Sequence, residues 1–401
     1  MMFQGAAKLT TVDLSNFTYA DDFQDNGSMF FGCTSLEELS LPQNFCMHHT
    51  KNGPTMLISR QFYDCSKLKH LDASNWRFDG NLSLDHAFAN CSALAGLDTS
   101  KWNLSECTDL SFTFYGCSSL REIDVSKWDV SKVKNFDHFA AHAGLIRKGI
   151  ENWDTSSAEN MNAMFHNCGE IELDLSRFKT DKVIYFTQMF ENSPRLKHIR
   201  GLDKWTTGQA TGFDQMFGRC YELEELDLSS FDTRKAKNGE TASTNGHKTG
   251  TLENFCNDCR KLKWIKLGPN FAINGDGSNT TAANKLILPT PSADYINGAD
   301  GLWRTVDGTT YSPTGIPDKT LNTYYSSYGG ICDVDVIVKN GSLLDTAKAI
   351  RELSGATEKY TPAQFGAAIR AAAAALNAMA DEILNEQAEH IEGGVSDVTT
   401  E

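Results

Sequence analysis

The chain has 401 residues, of which 40% are hydrophobic and 22% are charged, so it has enough apolar material for one large core or two to three domains. Its 37 basic and 52 acidic residues give a net charge of −15, which argues against a protein that binds the phosphate backbone of nucleic acids. No run of 18 apolar residues occurs, so no membrane-spanning segment is predicted. Residues 1–5 do not resemble a secretory signal, and export, if it occurs, is expected to use another route.

The eleven cysteines are an odd number, and most of them recur at one position of a repeated pattern. Paired disulfide frameworks have a different spacing. We therefore expect buried, reduced thiols that pack as small apolar side chains.

A repeat runs through the first two thirds of the chain. An aromatic residue is followed three positions later by a small residue and three positions later again by leucine, as in Phe62-x-x-Cys65-x-x-Leu68. Between Phe62 and Phe217 the copies are spaced 25 to 27 residues apart, which is the length of a leucine-rich repeat. The pattern places His142 and Ser193 in the cysteine position of two copies. The copies begin at Phe3, Phe30, Phe62, Phe88, Phe114, Phe139, Phe165, Phe190, Phe217 and Cys256.

Each repeat combines two hydrophobic periods. After the leucine the period is two, as in residues 173–176, which indicates a short strand. Before the aromatic, apolar residues lie three or four apart, as at Ala158, Met161 and Met164, which is typical of a helix. The predicted fold is therefore an α/β solenoid, a leucine-rich-repeat-like stack of about ten strand-turn-helix coils with one parallel sheet. A cap and a C-terminal α-helical segment are expected to follow it.

The repeated phrase Met-Phe-x-x-Cys-x-x-Leu-x-x-Leu-Asp-Leu-Ser-x-Phe/Trp-Asp-Thr-Ser carries a family resemblance. It is similar to the BspA-type leucine-rich repeats of bacterial surface proteins, most closely in residues 164–178 and 217–231. The resemblance covers residues 1–285. It implies adhesion or recognition at a surface and no catalysis, and its motif does not fix the binding residues.

Beyond the repeats, the pattern predicts a cap of the solenoid at residues 286–330. Residues 331–392 are predicted to form a strand and two helices for oligomerisation or docking, and residues 393–401 an acidic disordered tail. The second helix carries a heptad seam. We expect it to form a homo-oligomer, with a trimer favoured; the alternative is packing against the first helix of the same chain. The seam residues are Phe365, Ile369, Ala372, Leu376, Met379 and Ile383.

A second resemblance lies in this C-terminal part. Residues 344–352, 360–365 and 368–369 are similar to a segment of tail and structural proteins from phages and prophages of Gram-positive bacteria. The resemblance implies a virion component, with other virion proteins as partners of the C-terminal helices.

Several features with possible chemistry have structural explanations. The aspartate that recurs once per repeat, as at Asp72 and Asp174, predicts a structural or solvent-facing ladder. Cys256-x-x-Cys259 has metal-site spacing but occupies repeat positions, and Cys46 with His48 and His49 is read as a polar loop. No catalytic motif is found, so we expect no enzyme activity, cofactor or metal. An aromatic ladder is read as core, with a sugar-binding strip as the alternative; its members are Phe17, Trp76, Trp102, Trp128, Trp153, Phe178, Trp205 and Phe231.

Binding is expected where the repeat leaves the residue type free, at outward positions of the strands and in the inserts at about 43–58, 233–251 and 270–284. The candidate ligand-binding residues are Lys69, His70, Arg121, Glu122, Lys197, His198, Glu224, Glu225, Lys263 and Trp264. The expected partner is a bacterial surface protein or glycan, with neither nucleic acid nor membrane insertion. The favoured hypothesis is a non-enzymatic phage virion component that presents its repeat surface to the bacterial host. The alternatives are a bacterial cell-surface adhesin of BspA type and a purely structural virion protein.

Overall fold

The structure, a computed structural model, describes residues 2–17, 28–42, 56–57, 59–74, 76, 78, 82–121, 123–144, 148–237, 252–275, 285–305 and 309–327. These ranges contain short β-strands and two 3-10 helices but no α-helix. The strands are β1 Thr11–Asp13, β2 Glu38–Ser40, β3 Met56–Leu57, β4 Leu82–Ser83, β5 Cys107–Asp109, β6 Glu172–Asp174, β7 His198–Arg200, β8 Glu225–Leu228, β9 Trp264–Leu267, β10 Trp303–Arg304, β11 Thr310–Tyr311 and β12 Asn322–Tyr325, and the 3-10 helices are η1 Ile150–Asn152 and η2 Leu202–Lys204.

The helix predicted before each repeat aromatic is wrong. In the repeat around Met161, the backbone N–H of every second residue donates to a carbonyl of the following repeat: Met161 to Tyr185 at 3.0 Å and Ala163 to Thr187 at 2.8 Å. An α-helix would instead bond each N–H four residues back within its own segment. Ala163 also has φ +48°, in the left-handed region. These segments are therefore runs of turns held by the next repeat.

The single parallel sheet predicted for the stack is also wrong. The strands form four separate sheets, in the orders β1-β2, β3-β4-β5, β6-β7 and β11-β10-β12-β9-β8, with isolated bridges such as Asn135 to Asn160 elsewhere. A turn limits the length of these strands. In β6 the N–H of Ser176 donates to Oδ1 of Asp174 at 3.0 Å, an Asx turn that ends the extended backbone.

The core consists of stacked aromatic side chains. Phe62 lies between Phe30 and Phe88 with ring centroids 5.6 and 5.4 Å away. Trp102 lies in the same way between Trp76 and Trp128, at 5.7 and 5.6 Å. In this arrangement each repeat buries its aromatic face against its neighbours.

The core interpretation of the aromatic ladder is thereby confirmed for seven members, and the sugar-strip alternative is wrong for them. All except Phe17 are at most 4% exposed. Three of the indoles also donate their N–H to a backbone carbonyl of the preceding repeat: Trp102 to Ala73, Trp153 to Val125 and Trp205 to Leu175, at 3.2 to 3.4 Å. Phe17 differs, with 59% of its surface exposed.

The alignment of the Phe139 copy with the other repeats, as predicted from the sequence, is wrong by one residue. The N–H of Gly116 donates to the carbonyl of Ala141, and the N–H of His142 donates to that of His166. His142 is therefore equivalent to Gly116 and not to the repeat cysteine. Ala143 takes the cysteine position, because its N–H donates to Ala140 as that of Cys117 does to Phe114.

The residues predicted as a cap contain β10, β11 and β12. β12 pairs antiparallel with β9, and Tyr324 lies opposite Ile265. β9 therefore has a parallel neighbour, β8, on one side and an antiparallel neighbour on the other. Buried Trp303 of β10 donates its indole N–H to the carbonyl of Pro289 at 2.9 Å.

The predicted fold class, an α/β solenoid containing helices, is wrong for the part of the chain that the structure describes. The segment predicted to carry a strand and two helices, 331–392, the tail 393–401 and all six heptad-seam residues lie outside the described residues. Within the described ranges, no helix is long and apolar enough to cross a membrane.

Candidate functional site

The first, second and fourth residues after each repeat leucine form an outer surface of the repeats. We call this surface the strand face. In β8 and β9 the burial alternates, so that Leu226 and Ile265 point into the core and are fully buried. Glu225 and Trp264 lie on the opposite side of their strands and are half-buried. The strand face therefore displays side chains that the core does not restrict.

Six of the ten predicted binding residues come together on this face. Backbone bonds align their strands: the N–H of Glu224 donates to Lys197 at 3.2 Å and that of Lys263 donates to Glu224 at 2.8 Å. Glu225 lies directly opposite Trp264 in the β8-β9 pairing. We call this group the C-terminal patch; it consists of Lys197, His198, Glu224, Glu225, Lys263 and Trp264.

The C-terminal patch is ordered by charge. An acidic strand lies between two strands that carry basic residues. A lysine–glutamate ion pair connects it to one neighbour, and a histidine–glutamate contact connects it to the other. Lys263 Nζ lies 2.8 Å from Glu224 Oε2, and His198 Nδ1 lies 3.2 Å from Glu225 Oε1. Burial of Glu224 acts to raise its pKa, but the hydrogen bond and the charge of Lys263 lower the pKa below its ordinary value.

Of the other four predicted residues, Lys69, His70 and Arg121 lie on earlier repeats, away from the patch. Lys69 Nζ is 3.4 Å from Glu37 Oε2, and Arg121 Nη1 donates to the carbonyl of Ser118 at 2.8 Å. Ala95 lies in the repeat between them; its N–H donates to the carbonyl of Lys69, and its carbonyl accepts from the N–H of Arg121. His70 is exposed, and Glu122 lies outside the described residues.

A second polar surface, on the turns, was not predicted from the sequence. Phe112 is stacked between His86 and His138, with ring centroids 4.4 and 4.5 Å away. His138 Nδ1 lies 2.6 Å from the buried carboxylate of Asp137. This stack of rings could have been predicted from the sequence, because His86, Phe112 and His138 follow one another at the repeat spacing.

The same turns carry His142 and His166, whose ring centroids are 4.9 Å apart. Burial lowers the pKa of His142, and the neighbouring histidines add to the effect. Nδ1 of His142 lies 2.9 Å from the side-chain amide nitrogen of Asn167, which makes this ring nitrogen the acceptor. Among the described residues, no group of three His, Cys, Asp or Glu side chains could hold a metal ion.

The cysteine pair with metal-site spacing is buried in the core. Cys259 donates its thiol to the carbonyl of Phe217 at 3.1 Å, and burial raises the pKa of Cys256 to about 12. Burial also raises the pKa of Cys259, so both thiols pack as neutral side chains of the core. Cys46, His48 and His49 lie outside the described residues.

The aspartate ladder has a structural role. Asp72 and Asp98 accept hydrogen bonds from the N–H groups of Ser74 and Ser100 at 3.0 and 2.9 Å. These bonds from the serines lower the pKa of both carboxyls. The ladder consists of Asx turns, one in each repeat that carries the Asp-x-Ser sequence.

Comparisons with known proteins identify two similarities. Residues 56–146, 82–199 and 197–249 match the family model described as "Mycoplasma protein of unknown function, DUF285"; together they span 56–249, less than half of the 401 residues. No curated protein matches the chain. The crystal structure of a leucine-rich repeat protein from Bacteroides ovatus ATCC 8483 is 15% identical, with a TM-score of 0.27, over 67% of this chain and 75% of that one. Neither match is to a phage protein.

Proposed function

We propose that this protein is a non-enzymatic recognition protein that acts at a bacterial cell surface and binds through the C-terminal patch. The observation that carries the proposal is the contrast between the two sides of β8 and β9. The inward residues are the fixed apolar types of the repeat, whereas the outward residues are Glu225 and Trp264.

Packing explains the inward side of these strands but not the outward side. Repeat proteins commonly bind partners through such extended surfaces, because repetition orders many outward side chains at once. In the patch, the pairs Lys263–Glu224 and His198–Glu225 hold long side chains in place before a partner arrives. This preorganisation reduces the entropy lost on binding.

We propose recognition at a bacterial cell surface and not from a phage virion. The phage-like segment at residues 344–369 lies outside the described residues, and the comparisons give it no support. The BspA-type repeat pattern, in contrast, implies surface recognition in the part of the chain that carries the patch. Partner binding and self-association through the heptad seam are parts of the same proposal.

A charge-swap series tests the proposal. The fluorescently labelled full chain is titrated onto intact cells of Mycoplasma and Gram-positive species, and its binding is compared with that of Glu224→Lys, Lys263→Glu and the double variant. The double variant restores the ion pair with reversed polarity, so it keeps the fold while it changes the surface that a partner meets. Glu38→Ala, on the strand face of an early repeat, is the matched control.

We expect saturable binding of the wild type and of Glu38→Ala, and a loss of about tenfold or more in the double variant, because hydrogen-bond donors and acceptors exchange places on the surface and leave the polar groups of the partner mismatched. Normal thermal unfolding of the double variant shows that the fold is intact. The proposal is wrong if the wild type binds none of the cells, or if the folded double variant binds them as tightly as the wild type.

A further inference from the structure

We propose that the C-terminal patch binds a neutral glycan and that a hexopyranose ring of this glycan stacks on the indole of Trp264. This inference rests on the proposed function and names the ligand class of the same site. It is carried by the position, exposure and hydrogen bonding of Trp264.

Trp264 lies in the middle of a row of side chains that crosses five strands. Glu225 lies opposite Trp264, Trp264 lies opposite Tyr325, and Tyr325 lies opposite Arg304. Paired residues in adjacent strands point to the same face. His198 extends the row on the other side, where it contacts Glu225.

Exposure falls along this row. The side chains of His198 and Glu225 are each 23% exposed, whereas Tyr325 is 6% and Arg304 1% exposed. Trp264 is half-buried between them. Trp264 therefore lies where the exposure of the strand face falls, and part of its surface meets solvent.

The indole of Trp264 differs from the indoles of the core. Trp102, Trp153 and Trp205 stack on aromatic neighbours and donate their N–H to backbone carbonyls. Among the described residues, Trp264 has neither a stacked aromatic partner nor a hydrogen bond from Nε1. A rigid apolar ring with an N–H at its edge is suited to a ligand that has both an apolar face and hydroxyl groups.

The charges around Trp264 favour a neutral ligand. Lys263 is paired with Glu224 and Lys266 with Asp227, at 2.8 and 3.3 Å, and His198 with Glu225. A charged ligand would have to draw one member of a pair away from its partner, whereas a neutral ligand leaves the local charges balanced. Sugar hydroxyls can donate to the carboxylates and accept from the cations at the rim while every ion pair stays intact.

The test uses the full chain and three soluble neutral polysaccharides: laminarin, dextran and galactomannan. Polygalacturonate is the charged comparison. Affinities are measured by isothermal titration calorimetry for the wild type, Trp264→Phe, Trp264→Ala and the control Glu38→Ala. Trp264→Phe keeps a flat ring at an outward position, so it stays informative if Trp264→Ala fails to fold.

We expect at least one neutral polysaccharide to bind the wild type and Glu38→Ala equally. Trp264→Ala should lose about tenfold or more in affinity, and Trp264→Phe only a few-fold, because stacking on a ring is kept. The glycan inference is overturned if none of the neutral polymers binds, if only polygalacturonate binds, or if Trp264→Ala and Trp264→Phe both bind like the wild type.

Cell binding separates this inference from the proposed function. If the wild type binds cells and periodate oxidation of their glycans abolishes binding, both stand. If binding survives periodate but is lost when the cells are treated with protease, the ligand is a protein; the glycan inference then fails and the proposed function stands. If no cells are bound at all, the proposed function fails whatever the polysaccharides show.

Discussion

The thiol of Cys91 donates to the backbone carbonyl of Phe62, in the preceding repeat, at 3.1 Å. The same bond recurs from Cys117 to Phe88 at 3.1 Å. Where serine replaces the cysteine, Ser193 Oγ donates to Phe165 at 3.1 Å. Where this position holds cysteine or serine, a small side chain packs in the core and donates one hydrogen bond to the preceding repeat, whereas Ala143 keeps the small size without the bond.

We expect these thiols to be unreactive in the folded protein. Burial raises the pKa of Cys107 and Cys117 to about 12, and only the thiolate reacts with alkylating agents. Iodoacetamide at pH 8 should leave the cysteines of the repeats unmodified until guanidinium unfolds the chain. Peptide mass spectrometry measures the modified fraction at each site. Alkylation of Cys91 or Cys117 in the folded protein, without guanidinium, would contradict the burial of these thiols.

The tryptophan ladder should contribute strongly to stability. Trp153 is 1% exposed and donates to Val125 at 3.2 Å. Trp153→Ala is expected to lower the free energy of unfolding by about 3 to 5 kcal/mol, because it opens a cavity. Trp153→Phe should lose less, because the ring stack is kept. Urea unfolding measures both, and Trp264→Phe, on the strand face, is the control with little expected change.

Gly201 marks a place where the backbone of one repeat approaches the next. Its φ is +94°, and a Cβ there would lie 2.3 Å from Cα of Ser176. Gly298 has a similar φ of +77° but open space around it. Gly201→Ala should lower the free energy of unfolding by more than about 3 kcal/mol, and Gly298→Ala by only about 1 kcal/mol, from backbone strain alone. Equal effects in thermal unfolding would show that packing at Gly201 is not the cause.

Asp109 gives a pH-dependent prediction. Its burial, together with the charges of Asp85 and Asp137, raises its pKa in spite of hydrogen bonds from Ser111. The folded-state pKa therefore lies above the unfolded value of about 3.9. The charge penalty is absent below the unfolded pKa, grows as the pH rises through the folded pKa, and is complete above it.

Asp109→Asn should remove this penalty without loss of the turn. Asn160 already occupies the equivalent position two repeats later and accepts from the N–H of Asn162 at 2.9 Å. The variant should unfold at a higher urea concentration than the wild type at pH 7, and the difference should disappear at pH 3. A destabilised variant at pH 7 would show that the carboxylate is favourable where it lies.

The heptad seam stays a prediction, since it lies outside the described residues. Light scattering of the full chain and of a chain that ends at Gly341 tests it. We expect a defined oligomer, a trimer being favoured, for the full chain and a monomer for the truncated one. Two monomers would indicate that the second helix packs within its own chain.

Much of the core could be predicted from the sequence, because burial restricts residue type at each repeat. The positions of Cys91, Trp102 and Phe114 in the stack followed from the period alone. The helix prediction failed for a physical reason: apolar residues three apart, such as Met161 and Met164, lie on one side both in a helix and in a run of turns. Hydrophobic spacing cannot separate these two backbones.

A second signal could have separated them. Two residues after the repeat aromatic, the chain has Asp64, Asn90 and Gly116, all with positive φ, and these are the residue types that best tolerate the left-handed region. Their recurrence indicates a turn in each repeat. It also places His142 and Asn167 in that position, which corrects the register that Phe139 suggested. The repeat aligns neighbouring strands, so the sequence predicts which charged residues of the C-terminal patch lie side by side. It does not predict which of them form pairs.

The most direct test of the account is hydroxyl-radical footprinting of the full chain with and without isolated envelopes of a bacterium that it binds. We expect protection of Trp264 and its neighbours in β8 and β9, with no change at His86 and His138, two partly exposed histidines of the turns. Protection confined to these histidines, with Trp264 oxidised as readily as in the free chain, would contradict binding through the C-terminal patch.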